Sequence, residues 1–303
     1  MAKSQVNHSI ATILHYCSND YRFLHKSIEE IKHFSRVILI PVCDHFFNGK
    51  PENRELLERS FADFPECQFI EFKYDSKKLY HPYLSGQVDE TQWSKFWHGT
   101  ARYIGALFTP PDIEYTLFLD ADEIIDGKRF KTWLDSEDYR NWNAIRMQGH
   151  AYLHRASLRT QASYSCSLLL RMPCKDLLAS INHADRHGWF NALEGPKKEG
   201  VFDERGEPLI HHYTWVRTKE ECLRKANTWA HRLEKDWKTP IERMFQDPTK
   251  DLMDLNAAFE EVPIFFDPMS VPLPQTSLKA DSFSNVQKVD HAKVRRLEIE
   301  RLL

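Results

Sequence analysis

Asp120 and Asp122 stand one residue apart at the end of an apolar run, and Glu123 and Asp126 follow them in YTLFLDADEIIDG (115–127). So much acid behind a buried-looking strand meets either a cation or water. Side chains at i and i+2 of an extended segment point the same way, so Asp120 and Asp122 at a strand end can aim both carboxylates at one point. Two carboxylates, waters and phosphate oxygens form the octahedral oxygen shell that Mg²⁺ or Mn²⁺ takes. An ion so held neutralises a diphosphate and makes it a better leaving group. The plainer reading is a polar strand-to-turn transition, and Glu123 and Asp126 are assigned to that turn.

A second cluster lies in PLIHHYTWVRTKEECLRKA (208–226). Period-two alternation sends His211 and His212 to opposite faces, so one site takes only one of them. His211 falls in the more apolar set, which suits burial, and His212 is the chosen metal ligand. Arg217 and Lys225 could reach a diphosphate, although a helix start usually carries such charges anyway. The six cysteines include no CxxC pair, and no Cys/His cluster has zinc spacing. Reduced thiols and a cytoplasmic location are the expectation.

The elements that must position these groups alternate. SIATILHY (9–16), RVILI (36–40), CQFIEFKY (67–74) and YTLFLD (115–120) read as strands, with Pro41 ending the second. SNDYRFLHKSIEEIKHF (18–34) and 89–108 read as helices, and NGKPENRELLERSF leads into another. Such alternation implies a mostly parallel sheet covered by helices, with its site outside the carboxyl ends of the strands. After residue 127 come a short helix and two strands, 143–154 and 164–172, of antiparallel type. An irregular stretch, 173–207, leads to a strand at 208–216. A helix over 218–237 opens with a Thr218/Glu221 capping box and carries Leu223, Ala226, Ala230, Leu233 and Trp237 on one stripe. Residues 238–290 are proline-rich, and HAKVRRLEIERLL is a short amphipathic helix expected to dock on the body. With 42% hydrophobic and 28% charged residues, the chain reads as globular. Its net charge of −3 gives no argument for a nucleic-acid partner.

Four segments, ATILHYCSND, LIPVCDH, ARYIGALF and TLFLDADE, follow in an order and spacing that resembles the GT-A fold glycosyltransferases of the family-two type, over about residues 9–127. PLIHHYTWV with the helix behind it resembles a late His-Tyr element of several GT-A groups. The resemblance implies an α/β, Rossmann-like GT-A domain over 1–215, with a nucleotide-sugar half (about 9–127) and an acceptor half (about 128–215). Residues 216–303 form a mainly helical extension. It implies a metal-dependent, inverting hexosyltransferase of surface polysaccharide biosynthesis. The partners are a UDP- or GDP-sugar and a glycan or lipid-linked acceptor. The C-terminal helix offers peripheral contact with the inner membrane face, or a homodimer contact. Tyr16, Asn19 and Asp44 are then substrate-binding, Arg102 supports the nucleotide pocket, and Asp120, Asp122 and His212 hold Mn²⁺ or Mg²⁺.

An inverting transferase needs a base for the acceptor hydroxyl. Asp185, Glu194, Glu199 and Asp203 are the candidates, and HGWFNALEGPKKEG (187–200) reads as a mobile acceptor loop with Glu194 as the base. Two other readings stand beside this one. A haloacid-dehalogenase-like phosphotransferase also has an hhhhDxD motif, but on its first strand. An inactive GT-A-like protein would bind the nucleotide sugar only.

Overall fold

The computed structural model describes residues 8–74, 90–136, 139–183, 185–247, 257–274 and 283–302. The first half is built from β1 (Ile10–His15), α1 (Tyr21–Ile31), β2 (Val37–Cys43), α2 (Arg54–Asp63), β3 (Gln68–Phe72), α3 (Glu90–Leu107) and β4 (Tyr115–Asp120). β1 pairs in parallel with β2 on one side and β4 on the other, and β2 pairs in parallel with β3. All six residues of β1 are buried, as expected for a parallel strand covered on both faces. α1 lays Phe23, Leu24, Ile28 and Ile31 on the sheet, and Asn53 caps α2 by accepting the Leu56 N–H.

Pro41 does not end β2, contrary to expectation. The ladder from β2 to β1 stops at Leu39, while the ladder to β3 continues to Cys43. Pro41 therefore lies where β2 is paired on one side only, which a residue without an N–H tolerates.

The second half contains β5 (Glu123–Ile125), α4 (Gly127–Ser136), β6 (Ala144–Leu153), β7 (Leu158–Thr160), β8 (Tyr164–Arg171), α5 (Ala179–Asn182), α6 (Arg186–Ala192), β9 (Lys197–Val201) and β10 (Ile210–Trp215). β8 lies antiparallel between β4 and β6. β10 runs parallel to β6 and antiparallel to β5. The strand order is β11-β7-β6-β8-β4-β1-β2-β3-β12, where β11 (Phe259–Glu261) and β12 (Val286–Val289) come from late in the chain. The sheet is thus mixed, with its parallel core in the first half and its antiparallel pairs concentrated in the second.

The stretch 187–200 is not an open loop. Most of it is α6 and β9, and Trp189 and Phe190 are buried in the core instead of offering stacking faces. Asp185 caps α6 by accepting the His187 N–H at 2.6 Å.

The last part supplies α7 (Lys219–Thr228), α8 (Lys238–Gln246) and α9 (His291–Leu302). Both bonds of the Thr218/Glu221 capping box form. The helix stops at Thr228 instead of running to residue 237. Trp229 and Trp237 have ring centroids 4.8 Å apart, and both pack on Trp215. Eight residues of helix would separate them by about 12 Å, so burying the three rings together forces the turn. Leu233, from the expected apolar stripe, is 49% exposed. The extension is not only helical, because β12 joins the sheet beside β3 in parallel. α9 docks on α3, where Val294 is buried and the Tyr103 hydroxyl donates to Glu298 at 2.8 Å. All six cysteines are free thiols. Among the described residues no helix is long and apolar enough to cross a membrane.

Candidate active site

A cavity of about 560 Å³ opens at the carboxyl ends of β1, β2 and β4. Its charged floor is the turn that follows β4. The strand ends at Asp120, the Ala121 N–H donates to the His15 carbonyl, and Asp122 lies in the turn before β5. The alternation that would align Asp120 with Asp122 therefore stops one residue too early. Each carboxylate goes to its own partners.

Asp120 meets the first group. Arg102, buried on α3, donates through Nη2 to Asp120 at 2.9 and 3.2 Å and lies 3.0 Å from His98 Nε2. Arg186, at the start of α6, donates to Asp120 at 3.4 Å, to Glu123, and to the Phe118 carbonyl at 3.2 Å. His15 Nδ1 is 3.4 Å from Asp120. Burial works to raise the Asp120 pKa, but Arg102 and Arg186, helped by His15, hold it well below the usual carboxylate range. Burial, together with Arg102 and His15, pushes His98 well down. Neutral His98 can then accept from Arg102. Asp126 accepts the Arg129 N–H and serves the turn into α4, whereas Glu123 accepts the Asp120 N–H but also lines the cavity beside Arg186, beyond the turn role expected of it.

The local sequence explains how Arg102 arrives. Gly105, one turn further along α3, touches β1 and β2. A Cβ there would lie 2.7 Å from Ile13 Cγ2. The glycine lets the helix close onto the sheet, and the arginine on the same helix reaches the strand end.

Asp122 meets the second group. Its Oδ2 accepts from Arg217 at 2.9 Å and from Lys225 at 2.5 Å, and its Oδ1 lies 3.5 Å from His212 Nε2. Asp20, just before α1, shares both cations, at 2.5 and 3.7 Å. Arg217 also donates to the carbonyls of Asn19 and Thr214 and lies over the Phe23 ring. Burial would raise Asp122, but Lys225, His212 and Arg217 bring it well below the usual range. Burial would lower His212, and the bond to Asp122 reverses that. His211 faces away, bonded to Tyr152 and stacked on Phe265, and burial drives its pKa to about 3. Strand alternation thus separates the two histidines as expected.

The expected set of Asp120, Asp122 and His212 does not converge on one point. Among the described residues, the His/Cys/Asp/Glu group close enough to share an ion is His15, His98 and Asp120, with ligand atoms within 4.8 Å of one another. Arg102 Nη2 already bonds both Asp120 Oδ1 and His98 Nε2 there. A divalent cation would have to displace a guanidinium, and two imidazoles do not make the oxygen-rich shell of Mg²⁺ or Mn²⁺. The residues as arranged do not fit the expected metal.

Tyr16 and Asn19 line the cavity, but both are committed. The Tyr16 hydroxyl bonds Ser60 Oγ at 2.7 Å, and Asn19 joins Arg224 and Thr228 of α7, each at 2.8 Å. Asp44 lies one residue off the lining, between Cys43 and His45, where it accepts the Tyr74 N–H and meets His45. Glu194 is exposed on the turn between α6 and β9 and does not line the cavity, so it is not placed to act as the base. Of the other acids considered, Asp185 and Glu199 reach the cavity rim, and Asp203 is taken by Arg129. Sequence reasoning missed Arg186, Asp20, His15, His98 and Arg146. The cap signal of Asp185 could have located α6 and with it Arg186. His15 and Asp20 lie within ATILHYCSND without being singled out, and His98 and Arg146 carry no motif.

No family model matches the chain, and no curated protein does. Among solved structures, the chain shows a weak similarity to the glycosyltransferase GlyE of Streptococcus pneumoniae TIGR4, with 13% identity and a TM-score of 0.34. The match covers 80% of this chain but only 65% of that one.

Proposed function

We propose that this chain is a glycosyltransferase that moves a sugar from a nucleoside-diphosphate donor to the hydroxyl of a glycan or lipid-linked acceptor. One observation carries the reading. Half-buried Asp120 and buried Asp122, behind a parallel strand, organise the cations that line one cavity, Arg102 and Arg186 on Asp120 and Lys225 on Asp122, with Arg217 bracing Asp122 from outside the lining. A diphosphate leaving group develops negative charge, and fixed donors aimed at that charge lower the barrier without reorganising. Asp120 and Asp122 keep those donors in place, and no step runs through a metal.

The nucleoside half lies along the ends of β1 and β2, where Tyr16, Asn19 and His45 line the wall and His15 stacks on Phe47. The acceptor half lies toward Tyr164, Asp185 and Glu199. Inverting transfer needs a base opposite the leaving diphosphate, and the rim carboxylates Asp185 and Glu199 are the groups for it.

The test is to incubate the protein with a panel of UDP- and GDP-sugars and measure free nucleoside diphosphate. Turnover that disappears in Lys225→Ala supports the reading. Release of phosphate from sugar phosphates, with no donor consumed, overturns it in favour of a phosphotransferase. Tight donor binding with no turnover, for any acceptor tried, points to a binding protein instead.

A further inference from the structure

Arg146 on β6 is a buried arginine without a carboxylate. It lines the cavity and is 2% exposed. Its Nη2 donates to the carbonyls of Ser165 and Cys166 on β8, while Nε and Nη1 have no hydrogen-bond partner. Arg102 and Arg186, the other buried arginines that line the cavity, each hold at least one acid. A buried charge left unpaired is costly, so this one calls for a compensating partner.

The backbone is irregular at the same place. Arg146 pairs with Leu168 and Gln148 with Ser165, so β8 carries an extra residue between them. The ladder to β9 also shifts, between Ile145 and Met147. Bulges of this kind re-aim side chains beside active sites. The charges that face Arg146 are Arg186, which repels it, and Asp185 and Glu199 on the rim, neither of which forms an ion pair with it. Among the described residues, the acids of the floor are taken up by other cations.

We propose that Arg146 receives an oxyanion, a carboxylate or a phosphate, carried by the transferred sugar or by the acceptor, outside the diphosphate subsite. Describing the ligand as sugar or acceptor rests on the transferase reading, whereas the anion preference does not. Guanidinium is the side chain best suited to such a group, through planar donors and a permanent charge.

The experiment uses the full chain and calorimetric titration with D-glucuronate, glycerol 3-phosphate and neutral methyl glucoside, each with and without saturating UDP or GDP. Wild type should bind one of the two acidic probes about tenfold more tightly than the neutral one, and which probe wins tells carboxylate from phosphate. Arg146→Met should lose that preference, keep nucleoside-diphosphate affinity within about twofold, and melt no lower than wild type, since an unpaired buried charge has gone. Arg146→Lys should retain part of the preference.

Equal binding of acidic and neutral probes overturns the proposal. So does an Arg146→Met variant that loses nucleoside-diphosphate affinity, which would assign the residue to the diphosphate, or one that melts well below wild type, which would make it structural. If neither UDP nor GDP binds, the transferase reading fails, and the comparison of acidic with neutral probes on the free protein still decides the role of Arg146.

Discussion

At Asp122 two buried cations converge on a single oxygen, with Asp20 as their second acceptor. Removing one member of a buried ion pair leaves the others uncompensated and costs roughly 3–5 kcal/mol. Asp122→Asn should therefore lower the urea midpoint as well as abolish donor turnover, and an unchanged midpoint would mean that the cations find other partners. The same pairing sets the metal dependence. Under the proposed reading Arg102, Arg186 and Lys225 meet the diphosphate, so turnover should persist in excess EDTA; loss in EDTA with recovery in Mn²⁺ would show that an ion displaces Arg102. A third residue gives a pH signature. Burial raises the Glu52 carboxyl to about 8, against the bonds from Ser18 that favour its charged form. A folded pKa above the unfolded one means stability fully present below about 4.5 and lost as pH rises through about 8. Relative to Glu52→Gln, wild type should lose stability between those limits and stay flat above them. Denaturant titrations of both proteins from pH 5 to 9 read this directly, and a constant difference would refute the buried carboxyl.

The elements carry this site with unequal precision. Capping box and register bring α7 to the cavity, where Lys225 points back to Asp122. Thr218→Ala should cost about 1 kcal/mol in unfolding free energy and raise the donor KM, because fraying of the first turn loosens the short helix whose last turn carries Lys225. A thermal melt and a donor titration would check both. α7 also shows what could be read beforehand. Its start was legible from Thr218 and Glu221, since a cap is a local bond between nearby residues. Its end was not, since the packing of Trp215, Trp229 and Trp237 is decided by distant parts of the chain. The strands β1, β3 and β4 were legible as apolar runs, whereas Pro41 misled because its tolerance depends on where the neighbouring ladder stops. Of the site, the acids at the β4 end, Arg102 and the cavity-facing His212 were visible from motif and alternation. Their partners were not, because Arg186 and Asp20 are joined to them only by the tertiary fold. The assumption that failed was geometric, since Asp122 lies beyond the strand whose alternation would have aligned it.

Across the whole molecule, the site is a seam. Its cations come from α3, α6, α7 and the segment ahead of α7, and its acids from the segment ahead of α1, the end of β4 and the turn behind it. A ligand that bridges Arg102 and Lys225 would tie the first half of the chain to the second. The residues after 215 belong to this arrangement, since they provide Arg217 and Lys225 to the floor and β12 to the sheet. β12 also has a consequence for how the protein is made. β3 is synthesised early, yet its outer edge is covered only when Val286–Val289 pairs with it. During synthesis, more than two hundred residues must leave the ribosome while that edge is bare, and an unpaired strand edge is a template for another chain. Ending the chain before residue 283 should leave that template open for good, and gel filtration of the truncated protein should give multimers where the full chain does not.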